Sequence, residues 1–324
     1  MKKLNCLQLG SIFSIGVAFI LLGGIALGAD SAPASADNGA KAVLLEPKPI
    51  VKGAKVVTLW PAGSPELKTL KGYDQPEHAV LDKAGNIQHV DNIHNPSIEL
   101  HLAPPDKANG MAIVVAAGGG NTTLWVGPEG TDIADWLNSI GISAFVERYR
   151  LQPYSSATDA LADTQQSIRL IRANAKEWNI DPNRVGIMGF SAGGEQSARV
   201  ALNFDAGNPD AKDPVARQSC RPDFTVLIYA GWKPGTVDLS NIPKNAPPAF
   251  CACAGVDDYF HASETIDFAS AYLKAKIPVE LHIYGHGGHG GGISPRKGIP
   301  FGTWPKSFEA WVTDLGMMKT GGAK

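Results

Sequence analysis

The chain has 324 residues, 44% hydrophobic and 19% charged, with a formal net charge of −2. That supplies enough apolar material for one large buried core. The lack of a basic surplus argues against nucleic acid as a partner, and the sequence has no second apolar run of spanning length.

In chain order, Met1-Lys2-Lys3 and the apolar run Ile12 to Leu27 have the n-region and h-region of a secretory signal. Small-residue cleavage sites lie near Ala26-Leu27-Gly28 and Ala34-Ser35-Ala36. Residues 1–29 are therefore expected to be a signal peptide or an uncleaved N-terminal anchor, with the protein exported to the periplasm or beyond. Residues 30–54, rich in Ala, Pro, Lys and Gly, read as a flexible leader, and residues 55–324 as one domain.

Within that domain, apolar segments alternate with helical stripes. Lys55 to Trp60 and Ser97 to Ala103 read as early strands, the second through the alternation of Ile98, Leu100 and Leu102. Met111 to Ala116 and Ser143 to Tyr149 are apolar runs suited to central strands. Between them Ile133, Trp136, Leu137 and Ile140 lie on one face of a helix over Thr131 to Ile140. A longer helix over Thr158 to Trp178 carries the stripe Leu161, Ile168, Ile171 and Ala175. Strands follow at Arg184 to Met188, Phe224 to Tyr229, Ala249 to Ala254 and Val279 to Tyr284, with helices at Ala192 to Asn203, Ser263 to Ala275 and Lys306 to Leu315. This alternation implies an α/β fold with a mainly parallel central sheet and helices on both faces.

The pentapeptide Gly189 to Gly193, GFSAG, lies between a strand and a helix, the context of a nucleophile elbow. There a serine sits in a strained turn, and a Cβ at either flanking glycine would collide with neighbouring backbone. The bland alternative is a glycine-bounded turn whose serine caps a helix. Ser191 becomes a nucleophile only with a base and an orienting carboxylate, expected after it in the order Ser, acid, His. Of the histidines beyond Ser191, His282 falls inside a strand. His289, in Gly287-Gly288-His289-Gly290 after a strand, is the best placed, with His286 its rival. Asp257 and Asp258 both follow the strand Ala249 to Ala254, and adjacent side chains on a turn diverge, so one of the two should reach the histidine. Gly118-Gly119-Gly120-Asn121 follows the strand Met111 to Ala116, where backbone N–H groups can face a developing oxyanion. Gly119 and Gly120 are the expected donors there, with Ala192 beside the nucleophile as the third.

From Ser97 onward the chain resembles the bacterial acetyl-xylan and feruloyl esterase-like branch of the α/β-hydrolases, related to the hormone-sensitive-lipase esterases. The resemblance is carried by Asn95-Pro96, IVVAAGGGN, WLNSIGISAFVERYRL, SIRLIRANAKEWNIDPNRVGIMGFSAGG and PVELHIYGHGGHG. It implies the α/β-hydrolase fold and a serine esterase acting without cofactor or metal on acylated carbohydrate or other small esters, acetyl groups on xylan-type polysaccharide first. Aligned back from PVELHIY, the family's acid falls on Asp257, with Asp258 in place of the following proline, and its GGHG places the histidine at His289. The family often has His or Pro before the three glycines and an aromatic after them, where this chain has Ala117 and Asn121. Asn121 could add a donor there, and Trp125 a wall. Within the same class, a general carboxylesterase or a peptidase-type hydrolase would use the same groups, and a non-catalytic carbohydrate-binding relic would not need all three.

The remaining polar and aromatic features have plainer readings. Arg148 and Arg150 are expected to pair with carboxylates at a strand end, Glu195 to support the elbow, and Trp232 and Trp304 to pack rather than stack on a sugar. Asp205 to Arg221, polar and proline-containing, reads as a lid or substrate-border insertion. Cys220, Cys251 and Cys253 read as buried small hydrophobes with no disulfide or zinc site expected.

Overall fold

The structure is a computed structural model that describes residues 46–318 apart from 68, 69, 71–74, 295 and 297. The expected signal and most of the expected leader lie outside the described residues. The strands are β1 (Lys55–Thr58), β2 (His78–Leu81), β3 (Ile87–Asp91), β4 (Ser97–His101), β5 (Ala112–Ala116), β6 (Ser143–Arg148), β7 (Val185–Phe190), β8 (Thr225–Ile228), β9 (Ala249–Ala254) and β10 (Val279–Tyr284). The α-helices are α1 (Asp132–Ser139), α2 (Leu161–Ala173), α3 (Ala192–Leu202), α4 (Tyr259–Lys274) and α5 (Trp304–Asp314).

Eight strands form one sheet in the order β1-β4-β6-β5-β7-β8-β9-β10. β1, β4 and β6 pair antiparallel, and every pairing from β6 through β10 is parallel. Parallel strands need crossover helices, which bury both faces of the sheet. The central strands answer with continuous apolar runs, β5 being AIVVA with every residue buried. Ile113 and Val115 pack on one face with Ile133 and Leu137 of α1 and Phe308, Trp311 and Val312 of α5. Ala112 and Val114 pack on the other with Ile168 and Ile171 of α2 and Val200 of α3. Farther along that face Ala198, Phe268 and Tyr272 cover Leu227 and Cys251. Each such large side chain contributes roughly 1.5–3 kcal/mol on burial.

The sequence reading is modified in more than four places: the expected leader already packs at Ile50, which is buried in the core, α2 is shorter than expected at both ends, and four further changes follow. The alternation in β4 is not that of a half-solvated strand: Glu99 is buried opposite Ile98 and Leu100, and accepts from the Ile50 and Val51 N–H groups and from His101. A hairpin of β2 and β3, which the sequence did not announce, pairs with the main body through Val90 and Leu124. α4 begins at Tyr259 rather than Ser263, with consequences described below.

The fourth correction concerns Asp205 to Arg221. Parallel strands place the carboxyl ends of β5, β7, β8, β9 and β10 at one edge of the sheet, and α3 runs back from Ser191 to the opposite edge before β8 begins. The segment therefore lies at the amino end of β8, away from Ser191, and cannot act as a lid. Arg169 and Arg172 of α2 fasten it there through the carbonyls of Gln218, Ser219 and Arg221.

Candidate active site

Ser191 occupies the turn between β7 and α3 at φ 51° and ψ −118°, a conformation that costs an L-residue free energy and persists only where the surroundings enforce it. The enforcement is close packing of backbone. A Cβ on Gly189 would stand 2.0 Å from the Gly193 carbonyl oxygen, and one on Gly193 would stand 2.0 Å from that of Ala116. Both glycines are thus required by contact, as the pentapeptide suggested.

Ser191 Oγ lies 3.0 Å from His289 Nε2, and His289 Nδ1 lies 2.9 Å from Asp258 Oδ2. A carboxylate only accepts, so Nδ1 carries the proton and Nε2 is free to accept from the serine hydroxyl. The acid that reaches the histidine is therefore Asp258, and the expectation of Asp257 is corrected. Asp258 ends β9's following turn at the N-cap of α4 with its side chain buried, whereas Asp257 points to solvent. Asp257 instead accepts from the Gly287 and Gly288 N–H groups at 2.8 and 2.9 Å, fixing the loop that presents His289. Those bonds, Gly287 first, hold its carboxyl below the usual range. Burial alone would raise Asp258, but hydrogen bonds and charge interactions with His261 and His289 prevail and hold it at about 2. Arg296 completes the fastening of the loop by donating to the carbonyls of Gly287 and Gly290. His286 is exposed and contributes no atom to this arrangement.

His261, which sequence reasoning left unassigned, stands beside the group. Its Nδ1 lies 2.5 Å from the other oxygen of Asp258, and its ring stacks on His289 at 3.8 Å between centroids. Among the described residues, Asp258, His261 and His289 have donor atoms within 4.8 Å of one another, close enough to share an ion. Here those atoms are engaged with each other, and a proton on each inward nitrogen accounts for the arrangement.

The glycine loop after β5 abuts the nucleophile: a Cβ on Gly118 would stand 2.7 Å from the Ser191 Cβ. Gly118 N–H is committed to Glu129 Oε2 at 2.8 Å, which leaves the N–H groups of Gly119 and Gly120, at φ 137° and 64°, as the loop's candidate donors. Ala192, the first residue of α3, adds its N–H at the positive end of the helix. The Asn121 amide is turned to Glu195, which also pairs with Arg199, so neither of these polar groups forms part of a donor set for the substrate.

Glu129 is the second group that sequence reasoning missed. It is buried below the loop, accepts from Gly118 N–H and, at 2.8 Å, from the Tyr229 hydroxyl, while that hydroxyl accepts from Gly292 N–H at 2.8 Å. Desolvation lifts its carboxyl above the usual range in spite of these bonds. One side chain thus ties the glycine loop to the loop that carries His289. Its only sequence signal was an acid inside an otherwise apolar stretch before α1.

Trp125 is part-exposed against His89 at 4.8 Å, Val256 is exposed in the turn before α4, and Tyr259 and Phe260 are exposed in the first turn of α4. Trp232 and Trp304 are buried, as are Arg148 and Arg150. Arg150 grips Asp163 with both Nε and Nη2, and Arg148 bonds Ser97 and Glu77, so both arginines brace strand ends. Cys220, Cys251 and Cys253 are free and buried, and burial pushes the Cys253 thiol up to about 12.

A family model described as BD-FAE matches residues 98–251. An acetylxylan esterase of Xylanibacter ruminicola is 34% identical over 241 residues, 65% of this chain and 46% of that protein. Endo-1,4-beta-xylanase B of Butyrivibrio fibrisolvens is 28% identical over 60% of this chain and 34% of its own length. The chain thus spans less than half of either relative. Among solved structures, an acetyl ester-xyloside bifunctional hydrolase from Caldicellulosiruptor lactoaceticus superposes with a TM-score of 0.67 at 32% identity, over 82% of this chain and 97% of that one. At that identity and coverage, this chain belongs to the acetyl-xylan and feruloyl esterase-like branch of the α/β-hydrolases.

Proposed function

We propose that the protein is a serine carboxylic ester hydrolase that removes small acyl groups, acetyl foremost, from xylan-type polysaccharide or small carbohydrate esters. The observation that carries this reading is the unbroken relay from Ser191 Oγ through His289 to Asp258, at 3.0 and 2.9 Å. Ser191 attacks the ester carbonyl while His289 Nε2 takes its proton, and Asp258 stabilises the imidazolium that forms. The N–H groups of Gly119, Gly120 and Ala192 receive the oxyanion. Without such a donor, turnover in comparable sites falls by about 100- to 1000-fold. The imidazolium then protonates the departing sugar oxygen, and water repeats the sequence to release the acid and restore the serine.

Acetylated sugar as substrate is supported by the names of the similar proteins and by the exposed Tyr259, Phe260 and Trp125, apolar faces of the kind on which pyranose rings rest. Export is supported by the N-terminal sequence, and N-terminal sequencing of the protein recovered from the producing cells tests it.

The purified protein should release acetate from acetylated xylan and from an aryl acetate. Ser191→Ala should lower kcat by about 10⁴-fold or more, with the circular-dichroism spectrum unchanged. Retained turnover in that variant would sink the assignment. An aryl xyloside assayed beside the esters addresses the second activity named for the Caldicellulosiruptor enzyme.

A further inference from the structure

We infer that His261 is a positioning residue for this reaction, holding the Asp258 carboxylate from its second oxygen in the orientation that receives His289. The inference rests on the esterase reading of the same site.

Each oxygen of Asp258 receives one imidazole: Oδ2 takes His289 Nδ1 at 2.9 Å and Oδ1 takes His261 Nδ1 at 2.5 Å. Two donors on one planar carboxylate fix its rotation, and the stacked rings, inclined by only 21°, fix each other. His261 is itself held. Phe260 meets it edge-on at 4.9 Å, and Gly231 lies so close that a Cβ there would stand 2.2 Å from His261 Cδ2. The local cause is the early start of α4, which puts Asp258 at the N-cap and His261 in the first turn, three residues on and on the same side.

The arrangement has an electrostatic sign. The N–H of His261 draws negative charge from Asp258, so the carboxylate stabilises a proton on His289 less than an undivided one would. A positive charge on either ring would stand 3.8 Å from the other ring, so the two imidazoles and the carboxylate between them act as one coupled group. Among the described residues, the other titratable or charged groups near the pair include Tyr229, whose ring meets His289 at 4.9 Å, Glu129 behind it, Arg296 on the carbonyls of Gly287 and Gly290, and the Cys253 thiol near Asp258. Phe260 and Gly231 carry no charge.

The test compares His261→Phe, which keeps an aromatic ring but neither donor nor titration, with His261→Gln, which keeps a donor but does not titrate. kcat/KM on an aryl acetate is followed in the full chain from about pH 5 to 9. The acid limb should move up by about half a unit to one unit in His261→Phe and less in His261→Gln. Turnover near pH 5.5 should then fall about 3- to 10-fold more than the plateau does. Should the Phe variant not fold, the Gln variant alone must show the upward shift. A limb that stays in place, or a plateau that falls equally at every pH in both variants, overturns the inference. Such a result leaves the esterase reading standing, because that reading falls only if Ser191→Ala retains turnover.

Discussion

Asp257 and Asp258 carry the same functional group one peptide apart, and their surroundings give them different tasks. Asp258 is buried between two imidazoles, whereas Asp257 is exposed and accepts only backbone N–H groups. Asp258→Asn removes the acceptor that fixes the His289 tautomer and should lower kcat by about 10³- to 10⁴-fold. Asp257→Asn keeps an oxygen for Gly287 and Gly288 and should cost about 10-fold or less. Kinetics on the two variants side by side check this, and the reverse order would reassign the acid. The distinction was present in the sequence but masked. Ala262, Thr265, Ala269 and Tyr272 form the buried stripe of α4, and carrying that spacing back one turn reaches Asp258, not Asp257. Starting the helix at Ser263 cut the stripe short of both the acid and His261, and the alignment to a proline then favoured the wrong neighbour.

Among the elements, the loops after β5 and β10 are joined by Glu129. Glu129→Ala should leave Gly118 N–H and the Tyr229 hydroxyl without their shared acceptor and loosen both loops. A loosened donor loop acts where charge develops, so kcat should fall about 10- to 100-fold with little change in KM, and Glu129→Gln should recover part of it. Equal changes in KM and kcat, or none, would separate Glu129 from the reaction. The strands, by contrast, were readable nearly to the residue, because a strand buried on both faces is a short apolar run bounded by polar turns. β9, buried throughout, begins and ends where the sequence placed it, and so does the edge strand β10, whose mark is instead the alternation of Val279, Leu281 and Ile283 with polar residues. Glu129 was not readable, since a buried acid is recognisable only from the donors that several distant segments bring to it. The hairpin of β2 and β3 escaped for a related reason. Its residues are mostly exposed or half-buried, so no apolar run marks it.

Over the whole molecule, the sheet encloses one carboxyl that should shape stability against pH. Glu147 of β6 is fully buried, bonded by Ser167 at 2.7 Å and Thr164 at 3.2 Å, and desolvation pushes its carboxyl up to about 8. Its folded value lies above the unfolded one, so the folded state binds the extra proton. The associated stability is fully present below about pH 4.5 and is lost as pH rises through about 8, in total on the order of a few kcal/mol. Glu147→Gln should therefore raise Tm at about pH 8 to 9 relative to the parent and flatten the dependence between about pH 5 and 8. Calorimetry across that range checks it, and parallel curves for the two proteins would contradict it.

The course of α3 carries a further consequence at this scale. It separates Ser191 from Asn208, Pro209 and Asp210, which are exposed at the far edge of the sheet on a segment anchored by Arg169 and Arg172. A handle grafted at that tip, whether an affinity tag, a bead linkage or a carbohydrate-binding module, would leave the serine facing outward. The chain could thus be tethered by its back without covering its mouth.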